Sequence, residues 1–482
     1  MAEVEVPHEP WEEISEEVVA EKRPYYFQLD VLKAVAIVFV VMDHSLTWEI
    51  KGSMGNLFWE RLSIPFFLIV MGFNMAFSFK YRGAESLRDL YTIDYFKRKI
   101  VRYVFPFLVL YMGSILLGLY LNHLEWNEYI FLGYLPFWGP GNWFIPLLFG
   151  SIVVFPLVYW AFNKQPEITL FLCFLSEILL QAIMYFFFPY PIETALEGFI
   201  VSAIRVNVLF FLPAVGLGLW FSRGHSLSEK RNWFMYIYFP ISLIFMIDYQ
   251  THWLSSIPGG VGQFFTNVDT FIRGDYTLLF YGYAAFIFLI ALAVLPRVAT
   301  GRFQRVVGKI GKASYHILLA QIFWFSIVYY QTYLQMLANT GVPEPYAHVI
   351  PQFHEIWSFP ISFYAAFYLL NLVVAGTLGY LWFWAEKRVN TVERPWWKHF
   401  WMQRTAYLFM AIFSLILMGA SIQFISDISG LTEWGRTHDL FIFNDVTGPP
   451  VMANVIAIIF FIGLCMLFMY KSFTIADEEI PV

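Results

Sequence analysis

The sequence predicts an all-α membrane protein, a polytopic helical bundle of about twelve transmembrane helices with both termini cytoplasmic. Three observations carry this prediction. Of 482 residues, 59% are hydrophobic and only 14% are charged, against about 25% charged in soluble domains. Most of the length lies in apolar runs near the roughly 20 residues that a spanning helix needs. The cations are one-sided: with the N-terminus inside, 24 Lys and Arg fall in inner segments and four (Lys51, Arg61, Arg273 and Arg436) in outer ones. That asymmetry sets both orientation and span count.

In chain order, the spans read roughly as 29–48, 60–79, 100–121, 143–162, 168–188, 200–221, 233–251, 277–296, 313–336, 358–384, 405–425 and 451–470. Residues 1–24 precede them as an acidic cytoplasmic tail with no apolar core, unlike a signal peptide. Trp and Tyr, 18 and 29 in number, fit interfacial belts. The longer outer connections, about 123–142, 252–276, 337–357 and 426–450, are rich in Gly, Pro, Trp and acidic residues. Loops of this kind fold over a mouth or re-enter the membrane. Cys173 and Cys465 lie inside apolar runs and read as small buried hydrophobes. No metal framework is expected, and no nucleic-acid partner; membrane lipids surround the chain. No internal repeat is visible, which argues against the many transporters built from repeated halves.

Ionisable groups inside apolar spans are expensive and mark functional positions by default. The first span carries Asp30, Lys33, Asp43 and His44. Eleven residues at about 100° each place Lys33 and His44 on one face, roughly 16 Å apart along the axis. Asp30 lies on the same side, so one stripe of an otherwise Val, Ile, Ala and Phe helix is polar. His44 reads as a general base or a transient acyl acceptor, because imidazole titrates near neutral pH. Asp43 would orient the ring or pair with a neighbouring span. The plainer alternative is that Asp43 and His44 end the helix at the headgroups while Lys33 snorkels inward.

Four cations follow in Lys97-Arg98-Lys99 and Arg102, before Pro106. Arg98 and Arg102, at i and i+4, would share a helical face. Such a cluster clamps phosphates, with Arg giving bidentate contacts, or anchors the chain to anionic lipid. Pro65 is expected to open the second span, with Gly72 allowing close backbone approach. Ser314 reads as a helix start, with Tyr315, His316 and Gln321 early in the ninth span. His316 there reads as a satisfied interface residue. Glu177 and Arg205 are deep charges on neighbouring spans, read as a buried ion pair holding register.

Together these motifs resemble the membrane acyltransferase 3 family. Its first helix, Asp-x-x-Arg, ten residues, then His, matches Asp30, Lys33 and His44. Its second-helix motif looks like Pro65-Phe66-Phe67 through Met71-Gly72-Phe73, and its basic run before a Pro is similar to Arg98, Lys99, Arg102 and Pro106. Trp143-Phe144-Ile145 opens the fourth span as the family's Trp-Phe-Leu does, Gly311 through Gln321 matches a late Gly-x-x-Ser-Tyr motif, and Glu386-Lys387-Arg388 ends the tenth span. The resemblance covers residues 25–390, ten spans, and leaves 391–482 as two additional helices with a short cytoplasmic tail. Lys33, Met71 and Gln321 stand where the family carries Arg, Ser and His.

The resemblance implies an acyltransferase in the plasma membrane that takes an acyl group from cytoplasmic acyl-CoA to a hydroxyl of a cell-surface glycan or lipid. It places His44, Asp43 and Lys33 in the catalytic set and Arg98, Lys99 and Arg102 on the donor phosphates. Asp30, Trp143, Tyr315, Gln321, Glu177 and Arg205 are further pore candidates. The alternative is a non-catalytic relative, a lipid or glycan exporter or an assembly partner, which draws on the three departures and the two extra spans.

Overall fold

The structure, a computed structural model, describes residues 25–121 apart from 47, 84 and 85, residues 132–189 apart from 136 and 138, residues 195–340 apart from 273 and 275, residues 361–390, scattered positions between 404 and 418, and residues 449–474. The expected tail 1–24 and much of 391–482, including most of the eleventh span, lie outside the described residues, as do most of the outer connections 337–357 and 426–450.

Every regular element among the described residues is helical. The first stretch comprises α1 (Phe27–Asp43), α2 (Trp48–Ser53) and α3 (Asn56–Lys80). Then come α4 (Leu87–Leu90), α5 (Ile93–Lys99), a π-helical turn over Ile100–Val104 and α6 (Phe105–Tyr120). After these lie α7 (Phe144–Lys164), α8 (Pro166–Phe187), α9 (Ala195–Arg205) and α10 (Leu212–Phe221). The remainder holds α11 (Met235–Thr251), α12 (Gly260–Phe271), α13 (Leu278–Val294), α14 (Arg302–Thr340), α15 (Ile361–Asn390) and α16 (Pro449–Thr474).

By length and apolarity, five helices among the described residues suffice to cross a membrane: Asn56–Lys80, the run Leu87–Tyr120, Phe144–Lys164, Pro166–Phe187 and Ala365–Lys387. A sixth is a broken span, Glu197–Arg205 with Val208–Phe221, bent by 46°. This is fewer than the twelve expected. Helices do occupy the expected first, seventh and eighth spans, but α1, α11 and α13 are each 17 residues long, a turn short of the usual span.

The core is built around α3 and α10. Of α3's apolar window 72% is buried, against 22% for α8 and 17% for α15. Every residue of α10 is buried, the mark of a helix enclosed on all sides. These two helices cross at backbone contact. A Cβ on Gly72 would sit 2.1 Å from Val215 O, and one on Gly218 would sit 2.1 Å from Ile69 O. Close approach through small residues is the usual device where lipid offers no hydrophobic drive between helices. Around this centre, α1 packs between α3 and α14, α13 packs on α3 and α11, and α15 lies along α14.

Three local expectations change. Pro65 does not open a helix: α3 starts at Asn56 and Pro65 lies inside it. Ser314 does not start one either, because α14 runs unbroken from Arg302. Nor does an α-helical register join Arg98 to Arg102. Pro106 has no N–H for the Arg102 carbonyl, and the chain answers with a wider turn in which the Phe105 N–H reaches Ile100 O.

Candidate active site

Two polar clusters occupy opposite ends of α1. At the N-terminal end Lys33 Nζ pairs with Asp30 Oδ1 at 2.7 Å, across one helical turn. Tyr25 Oη donates to Asp30 Oδ2 at 2.6 Å. Lys33 is 20% exposed, so its charge is held by a neighbour and not carried out along the stem. A cavity of about 270 Å³ opens here, lined by Tyr25, Tyr26, Leu29, Asp30, Lys33, Asn74 and Phe77.

Part of the basic run comes close to this end. Arg102 and Tyr103 lie within coulombic range of Lys33. Lys99 Nζ sits 5.3 Å from the Tyr103 ring centre and the Arg102 guanidinium carbon 5.4 Å from it. Tyr315 Oη donates to Tyr103 O at 2.7 Å, tying α14 to the π-helical turn. Arg98 behaves differently: it pairs back to Asp94 and is half exposed. Outside the spans, burial and then the neighbouring Arg98 push the Arg82 guanidinium below its ordinary pKa. Thus Lys33, Lys99 and Arg102 converge around Tyr103, while Arg98 stands apart with Arg82.

At the C-terminal end His44 caps α1, its N–H on Val40 O at 3.2 Å. The helix does end here, as the plainer sequence reading held, but the side chains of Asp43 and His44 are only 18% exposed. Asp43 Oδ2 lies 3.6 Å from His44 Nδ1, and Asp43 Oδ1 lies 2.5 Å from Lys51 Nζ. Lys51 is 2% exposed, a buried cation delivered by α2. The Phe325 ring meets the imidazole edge-on at 6.0 Å.

The other ring nitrogen faces the turn before α7. A Cβ on Gly141 would lie 3.6 Å from His44 Nε2 and 3.6 Å from Gln321 Oε1. Gly141 has φ +87°, a conformation that favours glycine. Gln321 Nε2 donates to Pro140 O at 3.0 Å. Gln321 Oε1 and both side-chain polar atoms of Asn142 are buried without a hydrogen-bond partner. Such orphans are rare, and each marks a place for a water, a ligand or a catalytic partner.

A third wall joins this end. Trp143 stacks on Phe211 and Tyr276, with centroids at 5.7 and 5.9 Å. Tyr276 Oη lies 3.3 Å from Ser63 Oγ and within coulombic range of Asp43, Glu60 and Arg61. Glu60 pairs with Arg61 at 3.5 Å, and the Arg61 guanidinium is boxed by Tyr249, Tyr276 and Phe280.

The remaining candidates fall elsewhere. Glu177 and Arg205 do not pair. Glu177 is buried in α8 and its Oε1 accepts the Leu278 N–H at 2.8 Å. Arg205 is exposed at the end of α9, just before the bend. His316 Nε2 lies 2.7 Å from Glu386 Oε2, which makes it a partnered residue between α14 and α15.

Sequence reading missed Lys51, Asn142, Tyr276 and the Glu60–Arg61 pair as site residues. One signal was available: Lys51 and Arg61 are two of the four cations assigned to the outer side, where cations are otherwise avoided.

A family model described as an acyltransferase domain matches residues 26–380. No match to the chain is found among curated proteins or solved structures.

Proposed function

The chain belongs to the membrane acyltransferase 3 family, and from that premise we propose that it moves an acyl group from cytoplasmic acyl-CoA to a hydroxyl of a cell-surface glycan or lipid. The observation that carries this reading is the constellation of partly buried His44 and Asp43 with buried Gln321 and Asn142 at one end of α1, and Lys33, Lys99 and Arg102 gathered at the other. A donor rich in phosphate fits the cationic end; an acceptor with hydroxyls fits the polar, orphan-lined end. In this reading the chain lies in the plasma membrane with twelve spans and cytoplasmic termini, and the cationic end faces the cytoplasm.

Chemically, Asp43 Oδ2 draws the imidazole proton to Nδ1 and leaves Nε2 as the base. Nε2 takes the proton of the acceptor hydroxyl as its oxygen attacks the thioester carbonyl. A C–O ester bond forms, the C–S bond breaks, and the proton passes to the departing thiolate. In the relay variant Nε2 attacks the thioester first, the C–S bond breaks and the thiolate leaves; the acceptor hydroxyl then attacks the acyl-imidazole, the N–C bond breaks, and the hydroxyl proton ends on the thiolate.

The test is transfer of label from acyl-CoA in vesicles carrying the full chain. His44→Ala is expected to lower kcat by about 10²–10⁴-fold, the usual contribution of a general base. Arg102→Ala is expected to raise KM for acyl-CoA about tenfold, one charge-assisted hydrogen bond being worth about 1.5 kcal/mol. Equal labelling by wild type and His44→Ala removes the catalytic role. The second reading, an exporter or assembly partner without chemistry, draws on Gln321: its amide is committed to Pro140 O where the family carries His. It predicts no binding of acyl-CoA at all.

A further inference from the structure

Arg231, in the loop between α10 and α11, has a platform but no counter-charge. Its guanidinium carbon lies 4.1 Å from the centre of the Trp220 ring, a close cation–π stack. Its Nε is buried without a hydrogen-bond partner, and among the described residues no carbonyl or carboxylate bonds to the guanidinium. Glu229, two residues away, is turned to its own loop, where Oε1 accepts the Ser226 N–H at 3.2 Å. The platform itself is held firmly. Trp220 Nε1 donates to Asn232 Oδ1 at 3.1 Å, and fully buried Asn232 donates to Gly224 O at 3.0 Å and to Ser226 O at 2.8 Å. These bonds fix the indole and the loop that carries Arg231.

The surroundings favour an anion. Arg223 stands within coulombic range of Arg231, as do Glu229 and Glu167. Arg223 Nη2 donates to Phe162 O at 3.3 Å and to Asn163 Oδ1 at 3.1 Å, at the end of α7. Burial, and then Arg223, hold the Arg231 guanidinium below its ordinary pKa, and a bound anion offsets both effects. Residues 163–167 and 222–232 carry Lys164, Arg223, Lys230 and Arg231 against Glu167 and Glu229, so a headgroup that brings its own cation is disfavoured. The loop lies at the same end of the bundle as Lys33, because the His225 ring meets the Tyr26 ring at 6.2 Å. Beside it Trp233, Tyr236 and Ile237 are exposed at the start of α11, the kind of side chains found where headgroups meet hydrocarbon. A lipid can lay its acyl chains on that flank; a soluble anion gains nothing from it.

We propose that Arg231, seated on Trp220, binds the phosphate of an anionic phospholipid at this end of the bundle, as a discrete site and not as part of a diffuse positive surface. The guanidinium offers a pair of N–H groups to the phosphate oxygens, and Arg223 adds charge without giving up its hold on α7. The site stands apart from the acyl-transfer reading and does not depend on it.

The experiment mixes full-chain protein in detergent with equal amounts of phosphatidylglycerol and phosphatidylcholine of matched chains and reads bound lipid by native mass spectrometry. Wild type is expected to retain phosphatidylglycerol about tenfold over phosphatidylcholine, the factor that one charge-assisted hydrogen bond supplies. Arg231→Gln is expected to bring that ratio close to one. Lys230→Gln removes an equal charge from the exposed neighbouring residue and is expected to keep the wild-type ratio. Arg231→Lys, which keeps the charge but loses the fork, is expected to fall in between; if the Gln variant does not fold, a Lys variant at the wild-type ratio overturns the proposal. So does a wild-type ratio near one, an Arg231→Gln ratio equal to wild type, or an equal loss in Lys230→Gln, the result that diffuse charge gives. In a last arm, glycerol phosphate at the lipid's concentration is expected to leave phosphatidylglycerol bound; displacement shows that a soluble phosphate is the ligand and overturns the lipid assignment.

Discussion

Lys51 is the residue on which the arrangement around His44 turns. Its ammonium is buried and bonded to one oxygen of Asp43, while the other oxygen of Asp43 faces His44. Removing one partner of a buried pair leaves a charge without its compensation, at a cost of about 3–5 kcal/mol. Lys51→Met is therefore expected to lower the thermal unfolding temperature clearly, and Lys51→Arg to recover most of it. The charge-reversed double variant, Asp43→Lys with Lys51→Asp, separates stapling from catalysis. It restores the pair, and with it stability, but sets an ammonium beside the imidazole, so transfer is expected to stay lost. Return of full transfer in that variant refutes the role given to Asp43. None of this was readable from Asp43 alone, because its partner stands eight positions along the chain, past the end of α1.

At the scale of elements, the apolar runs located most of the helices, and local chemistry moved their details. Pro65 lies inside α3, as membrane helices tolerate more readily than soluble ones. Pro106 instead widens the preceding turn and separates Arg102 from Arg98. The expected role of Gly72 in close packing holds in a specific form, because its partner is the backbone of α10. Gly218 plays the reciprocal part. Gly218→Ala would push a methyl to 2.1 Å from a carbonyl oxygen, so a backbone shift is forced. Overpacking of this kind costs about 1–3 kcal/mol, or more when backbone must move. The measurement is detergent thermal unfolding beside Gly376→Ala, whose Cβ meets no atom within 4 Å. Equal behaviour of the two variants would contradict the α3–α10 contact.

At the scale of the whole molecule, the proposed topology makes its own prediction. With twelve spans and cytoplasmic termini, a single Cys placed at Arg88 is labelled by a membrane-impermeant thiol reagent only from the cytoplasmic side. A Cys at Trp253 is labelled only from the outside. Both positions are exposed. Labelling of both from one side excludes the assigned orientation.

That the chain is helical and apolar, that its first helix carries a polar stripe, and that its ordered motifs resemble one acyltransferase family were all legible in the sequence. These properties are local: hydropathy, charge and spacing are written along the chain. Packing of distant segments is what makes Lys51 hold Asp43, brings Gln321 and His44 together against Gly141, sets Lys33 beside Arg102 instead of Arg98, and keeps Glu177 and Arg205 apart. Each of those outcomes depends on contacts between residues from eight to some 280 positions apart. They are set by how α1, α3, α10 and α14 pack, which no single segment specifies.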